Sequence, residues 1–352
     1  MFDFTKRHLK IISYKEGNIK MNSLKIPKMK FSFNKALIIL LLLLFIVIAS
    51  MNSAFLSPDY FIGVMLRNII EIGLMALPVT LIIITGGIDL SVGSILVVSA
   101  MVGGLAAKQF SSDIVGLVVT LGIGFICGLI NGLIISKLKI SPLVTTLATM
   151  FLFLGIARGL STGDSVYSYK LSEFFGTTDI YGIPMQIFIY VIMAIAFTLL
   201  LSRGTLGRKL YGIGLNENAT KYSGVNTDKA KITIYVLSGL MCGLAALIWL
   251  GRFTSIKYDA GMSLSMKVVT VIVLGGTSIL GGYGDMKGTI IATLIVAVLN
   301  SGLTVLNIPI DMQTIVLGLV LVASLVVYSI LNERAKTKRI IQVKIIEQVE
   351  KC

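Results

Sequence analysis

A single carboxylate stands inside the apolar run LPVTLIIITGGIDLSVGSILVV, residues 77–98. Asp89 follows Gly86 and Gly87 and precedes Ser91 and Gly93. These residue types permit two kinds of chemistry. The glycines free the backbone to leave a helix. The carboxylate then sits where a helix restarts, placed to act as its N-cap by accepting from the N–H groups near Ser91 and Val92. The positive end of the helix dipole favours its charge there. The other reading turns Asp89 toward a polar pathway, where it accepts hydrogen bonds from solute hydroxyls. The two roles are compatible.

A second constellation is VLGGTSILGGYGD, with Gly275, Gly276, Gly281 and Gly282 enclosing Thr277 and Ser278. Broken helices of this kind line substrate sites at membrane depth in many transporters. The plainer reading of the glycines is close helix packing. Ser278 has no base near it in sequence, and the only histidine, His8, lies in a basic leader. Ser-His and Cys-His nucleophile pairs inside the membrane are therefore excluded, as are histidine-based metal sites. Cys127, Cys242 and Cys352 show no pairing or metal spacing. No G-x-x-x-x-G-K-[ST] occurs, so this chain holds no ATP through a P-loop, and no cofactor is expected in it. A many-span chain without catalytic equipment reads as a transporter or channel, not an enzyme.

The third constellation lies in the segment RGTLGRKLYGIGLNENATKYSGVNTDKAK, residues 203–231. Asn216 is a good N-cap, Glu217 follows in the first turn, and Gly224 fits the position just past a helix end. Lys221 is four residues after Glu217, the spacing of a helical ion pair. Ala219 and Tyr222 share one face. A short capped helix of this kind suits docking to a soluble partner, and the plainer reading is a solvated surface helix.

The elements that must position these residues follow from composition. The 352 residues are 55% hydrophobic and only 14% charged, with a mean hydropathy of +0.92, where soluble domains carry about 25% charged residues. Windows of about 20 residues give about ten spans. They lie near 36–52, 61–84, 90–107, 114–136, 142–161, 185–201, 230–250, 265–282, 287–306 and 311–331. The net charge of +14 is not a nucleic-acid signal, because of where it sits. Basic residues collect in a leader at 1–35, after the sixth span, and in a tail at 332–352. With both termini cytoplasmic, all three fall on one side, as the positive-inside pattern requires. The leader's composition suits disorder, and the apolar stretch after it is long enough for a retained first helix in place of a cleaved signal. Within the second span, Arg67 and Glu71 are spaced to pair along one helix face. Lys267, at the start of the eighth, is placed to snorkel.

The fold class expected is an all-α polytopic membrane protein with an inverted repeat, spans two to five against seven to ten. NGLIISKLKISPLVTTLATMFLFLG from Asn131 is faintly like NSGLTVLNIPIDMQTIVLGLVL from Asn300, and such repeats are common in transporters. The organisation is leader 1–35, permease domain 36–331 with a cytoplasmic segment 202–229, and tail 332–352.

The segments ITGGIDLSVGS, LGRKLYGIGLNENATKYSGVNTDKAKITIYVLSGLMCGLAAL and VLGGTSILGGYGDMKGT resemble the permease subunits of bacterial monosaccharide importers of the ATP-binding-cassette (ABC) type, the ribose, xylose and rhamnose group. The resemblance covers roughly residues 36–331. It implies a chain in the bacterial plasma membrane that pairs with a second permease, two cytoplasmic ATPase domains that bind the ATP, and an extracytoplasmic sugar-binding protein. Asn216, Glu217, Ala219, Tyr222 and Gly224 would then form the segment that docks on the ATPase. Two departures stand out. Ser265 and Lys267 occupy places before VLGGTS where the family often has acidic residues, and its usual GGN reads Gly214-Leu215-Asn216. Rival readings are a permease for a sugar-derived signal such as autoinducer-2 or for a nucleoside, a cation-coupled sugar carrier, and an isolated channel.

Overall fold

The computed structural model describes residues 10–15, 18–23, 33–161, 165–261, 263–309, 312–323 and 326. Its long elements are helices: α1 (Phe33–Met51), α2 (Pro58–Ile84), α3 (Val92–Gln109), α4 (Asp113–Lys137) and α5 (Pro142–Ser161). They continue with the short α6 (Lys170–Thr177), α7 (Met185–Ser202), α8 (Thr205–Leu215) and the six-residue α9 (Glu217–Tyr222). Then come α10 (Thr227–Phe253), α11 (Leu264–Leu274), α12 (Met286–Val305) and α13 (Met312–Ala323). Among the described residues, eight helices are long and apolar enough to cross a membrane, and α11 and α13 are shorter apolar helices. Together they account for the ten apolar segments expected. The tail at 332–352 lies outside the described residues. In the leader, Lys10–Lys15 and Asn18–Ser23 pair as an antiparallel hairpin where composition suggested no order.

Local sequence explains most of the helix ends. Ser112 caps α4 by accepting from Val115 N–H, with Asp113 in the first turn and Lys137 in the last. Both charges complement the helix dipole. Asn226 caps α10 through Lys229 N–H, and Asp285 caps α12 through Lys287 N–H. Proline opens α5 at Pro142, where a missing N–H costs nothing.

Helix α2 is the centre of the bundle. Every residue from Ile70 to Ile84 is buried, as expected for a helix apolar on all sides. It packs against α7, α10, α11 and α12. The tightest pair is α4 with α10. A Cβ on Gly124 would overlap the Gly239 carbonyl, and one on Gly128 would overlap the Tyr235 carbonyl. Small residues let these two backbones touch, which is how helices gain contact where lipid is as apolar as the side chains.

Three sequence expectations are corrected. The eighth span, read to residue 282, ends as a helix at Leu274. At 1.5 Å per residue, α11 reaches only about 16 Å, because Gly276 just past its end takes a left-handed φ of +85°, and Gly281 and Gly282, at +81° and +73°, are left-handed too. Arg67 and Glu71 do not pair with each other. A π turn at Phe61–Leu66 and a 3-10 turn at Arg67–Ile69 disturb the regular spacing in α2. Arg67 Nη2 instead meets Asp179 Oδ1 at 2.6 Å, and Glu71 Oε1 meets Arg252 Nε at 3.2 Å. The third correction concerns Glu217, whose ion-pair partner is Lys231 at 2.6 Å, not Lys221.

Candidate functional site

The two glycine breaks meet. Residues 85–91 link α2 to α3, and residues 275–285 link α11 to α12. Gly86 has φ +80° and Gly281 φ +81°, and a Cβ on Gly281 would lie 2.8 Å from Gly86 N. Gly282 N–H donates to the Ile84 carbonyl at 2.8 Å. Within the second break, Ser278 N–H donates to the Tyr283 carbonyl and Gly281 N–H to the Ser278 carbonyl, both at 3.0 Å, while Thr277 N–H reaches back to Ile272 at 3.3 Å. Gly275 and Gly276 point elsewhere. Gly275 packs on the backbone of Gly288 in α12, and Gly276 packs on the ring of Phe33 in α1.

Helix α8 closes over this junction. Gly214 fills the gap between Ile84 and Gly282, where any Cβ would overlap both backbones. One turn earlier, the Tyr211 hydroxyl donates to the Gly284 carbonyl at 2.6 Å. Burial, with Asp285 and Tyr283 nearby, raises the Tyr211 phenol above its ordinary pKa, so it stays a donor. The sequence reading did not count either among the site residues. Gly214 matches the first glycine of the family's GGN, but nothing local announced what it would touch.

Asp89 lies on the other side of the first break and is fully buried. Its Oδ1 accepts from Ser91 N–H at 3.0 Å and from Ser91 Oγ at 2.6 Å. Its Oδ2 accepts from Ser238 Oγ of α10 at 3.2 Å. Asn131 Nδ2 of α4 donates to Ser91 Oγ at 2.8 Å. Ser91 occupies the N-cap position of α3, so Asp89 bonds the cap residue and is not the cap itself. The carboxylate joins the break to α10, Ser91 joins it to α4, and the described hydrogen bonds of Asp89 are all internal. Gly87 stands beside this cluster, where a Cβ would come within 3.0 Å of the Tyr235 hydroxyl. Asn131 and Ser238 were not recognised as partners, since 40 and 149 residues separate them from their acceptors.

Helix α9 follows α8 directly. Asn216 Oδ1 accepts from Ala219 N–H at 2.9 Å, which makes it the N-cap read from sequence. Gly224, with φ +83°, stands just past the helix end as expected. Lys231 of α10 grips Glu217 and fixes one side of the helix. The opposite face carries Ala219, Tyr222 and Gly224, all exposed, and Tyr222 is 91% accessible. A free aromatic on a braced helix gives a soluble partner an anchor without requiring the helix to fold on contact.

These features define a polytopic membrane permease. They are a helical bundle with two broken connections in contact, a bracing helix across them and a capped helix presented at the same end. The chain belongs to the family described as branched-chain amino acid transport system / permease component, which it matches over residues 61–325. It is 35% identical to the ribose import permease protein RbsC of Bacillus subtilis, over 80% of this chain and 88% of that one. With RbsC of Escherichia coli K12 the identity is 35%, over 83% and 92%. The autoinducer 2 import system permease protein LsrD of Escherichia coli HS is 33% identical, over 77% and 84%.

Proposed function

We propose that this chain is the transmembrane permease subunit of an ABC importer that carries a monosaccharide or similar small polyol into the cytoplasm. ATP is hydrolysed in separate partner chains. A second permease and an extracytoplasmic binding protein complete the assembly, and both termini lie in the cytoplasm of a bacterial cell. The observation that carries the proposal is the continuous path from Tyr222 and Ala219 on α9, through Gly214 and Tyr211 on α8, to Gly86 and Gly281. In this reading a partner that pulls on α9 moves α8, and the contacts of Gly214 and Tyr211 with Ile84, Gly282 and Gly284 pass that movement to the two breaks. The α9 residues form the ATPase contact in this reading, and the glycine breaks form the moving part of the pathway. The ribose permeases named above support a monosaccharide cargo. LsrD supports a second reading, a sugar-derived signal as cargo on the same machine.

The test is reconstitution. The permease is purified with whatever copurifies from its native membrane and placed in vesicles with labelled ribose outside and ATP inside. Uptake that needs ATP, the copurified ATPase and a binding protein is the expected result. Uptake by this chain alone, driven by a cation gradient or by none, overturns the proposal.

A further inference from the structure

At the end of the bundle away from α8 and α9, a groove of about 460 Å³ lies between α11, α12 and α13. Its lining is graded. Ser263, Lys267 and Thr314 sit at or within the first turn of α11 and α13, and Thr270 lies one turn deeper. Below them the floor is apolar, with Val296 in the middle of α12 and Leu317 in the second turn of α13. Lys267 is only partly exposed and forms no ion pair among the described residues. A cation held in a membrane helix without a counter-charge is costly. Snorkelling relieves part of that cost by bringing the amine to the depth of the lipid headgroups. The outer surface of the same helices is apolar, with Met266 and Leu319 more than 60% exposed toward the surroundings.

We propose that this groove is a binding site for an anionic phospholipid. The phosphate supplies the charge that Lys267 lacks. The hydroxyl of Ser263 stands at the same end of the groove as a hydrogen-bond donor. An acyl chain runs inward over Val296 and Leu317. A cation and a hydroxyl at one end of the groove and an apolar floor beyond them match the polar head and the hydrocarbon of such a lipid. A basic residue near a membrane surface favours anionic over zwitterionic lipid by roughly 1 kcal/mol, or about fivefold.

Native mass spectrometry of the full chain in detergent tests the assignment, with short-chain phosphatidylglycerol and phosphatidylcholine as competing probes. Wild type and Lys267→Arg are expected to prefer phosphatidylglycerol by about fivefold, and Lys267→Met to lose that preference. Unchanged helix content by circular dichroism shows that the Met variant is folded. If that variant is misfolded, Thr314→Leu, which crowds the groove without touching the charge, is expected to lower phosphatidylglycerol occupancy instead. A wild type with no preference, or a folded Lys267→Met that keeps it, overturns the site. Displacement of the lipid by inorganic phosphate or gluconate, at concentrations that leave phosphatidylcholine binding unchanged, overturns the lipid assignment in favour of a soluble anion.

Discussion

The carbonyl oxygen of Ile84, the last residue of α2, accepts a hydrogen bond from Gly282 N–H at 2.8 Å, which ties two breaks nearly 200 residues apart in sequence into one joint. Gly214 is pressed against the same carbonyl. The central helix, the second break and the bracing helix thus share one backbone atom.

Gly214→Ala is therefore expected to strain or reopen the joint. The added methyl overlaps backbone on two sides, and backbone cannot rotate away as a side chain can. Overpacking of this kind costs about 1–3 kcal/mol. The variant should still insert in the membrane, melt at a lower temperature, and transport poorly. Wild-type melting and uptake together would show that α8 does not brace the breaks. Gly281→Leu adds a second cost, since its φ of +81° disfavours any side chain, and it is expected to abolish uptake with insertion intact.

Asp89 is expected to tolerate loss of charge but not loss of its oxygen acceptors. Asp89→Asn keeps an acceptor for Ser91 N–H and should retain much of the transport. Asp89→Leu leaves Ser91 and Ser238 hydroxyls buried without their acceptor, at about 1–3 kcal/mol for each unsatisfied group. Uptake and protein yield measured side by side distinguish the two. Equal, wild-type-like behaviour in both variants would remove Asp89 from the joint.

On α9, Ala219→Arg places a long charged side chain on the free face beside Tyr222. Membrane insertion should be unaffected, because α9 lies between spans. Copurification of the ATPase should fall, or ATP turnover should continue without sugar uptake. Full association with fully coupled uptake would reduce α9 to a surface helix. Asn216→Ala, which removes the cap to Ala219 N–H, is expected to give a milder defect of about 1 kcal/mol in helix stability.

The buried pair Glu71–Arg252 should behave asymmetrically. Glu71→Leu alone leaves a guanidinium in the bundle beside Arg67 and is expected to cost about 3–5 kcal/mol. Combining it with Arg252→Met removes both charges and should recover most of that loss, though Arg252 also donates to the Arg67 carbonyl at 2.5 Å. Thermal unfolding of the two single variants and the double variant measures the coupling. Additive losses would mean that the pair does not act as a unit.

Much of this molecule is written in local sequence. Apolar windows determined the number of apolar helical segments. Hydrophobicity and charge act residue by residue on partition into a bilayer, so neither needs a partner. Asn216 and Gly224 specified α9 for the same reason. An N-cap and a left-handed glycine satisfy groups within one turn, and no distant residue takes part.

Tertiary structure decided where the glycines and charges go. Gly86 and Gly281 announce breaks, but only packing of α8 across them shows that the breaks touch. Asp89 looked like a helix cap because its neighbours in sequence were the only donors in view, whereas its second oxygen accepts from Ser238 of α10, and Asn131 of α4 holds the Ser91 hydroxyl that Asp89 accepts from. Arg67 was four residues from one acid and took another 112 away, with a 3-10 turn at Arg67–Ile69 breaking the regular spacing to Glu71. Side chains that end a helix answer to the nearest backbone. A buried polar side chain answers to whichever donor or acceptor the folded bundle brings within 3 Å or so, and linear spacing holds no record of that.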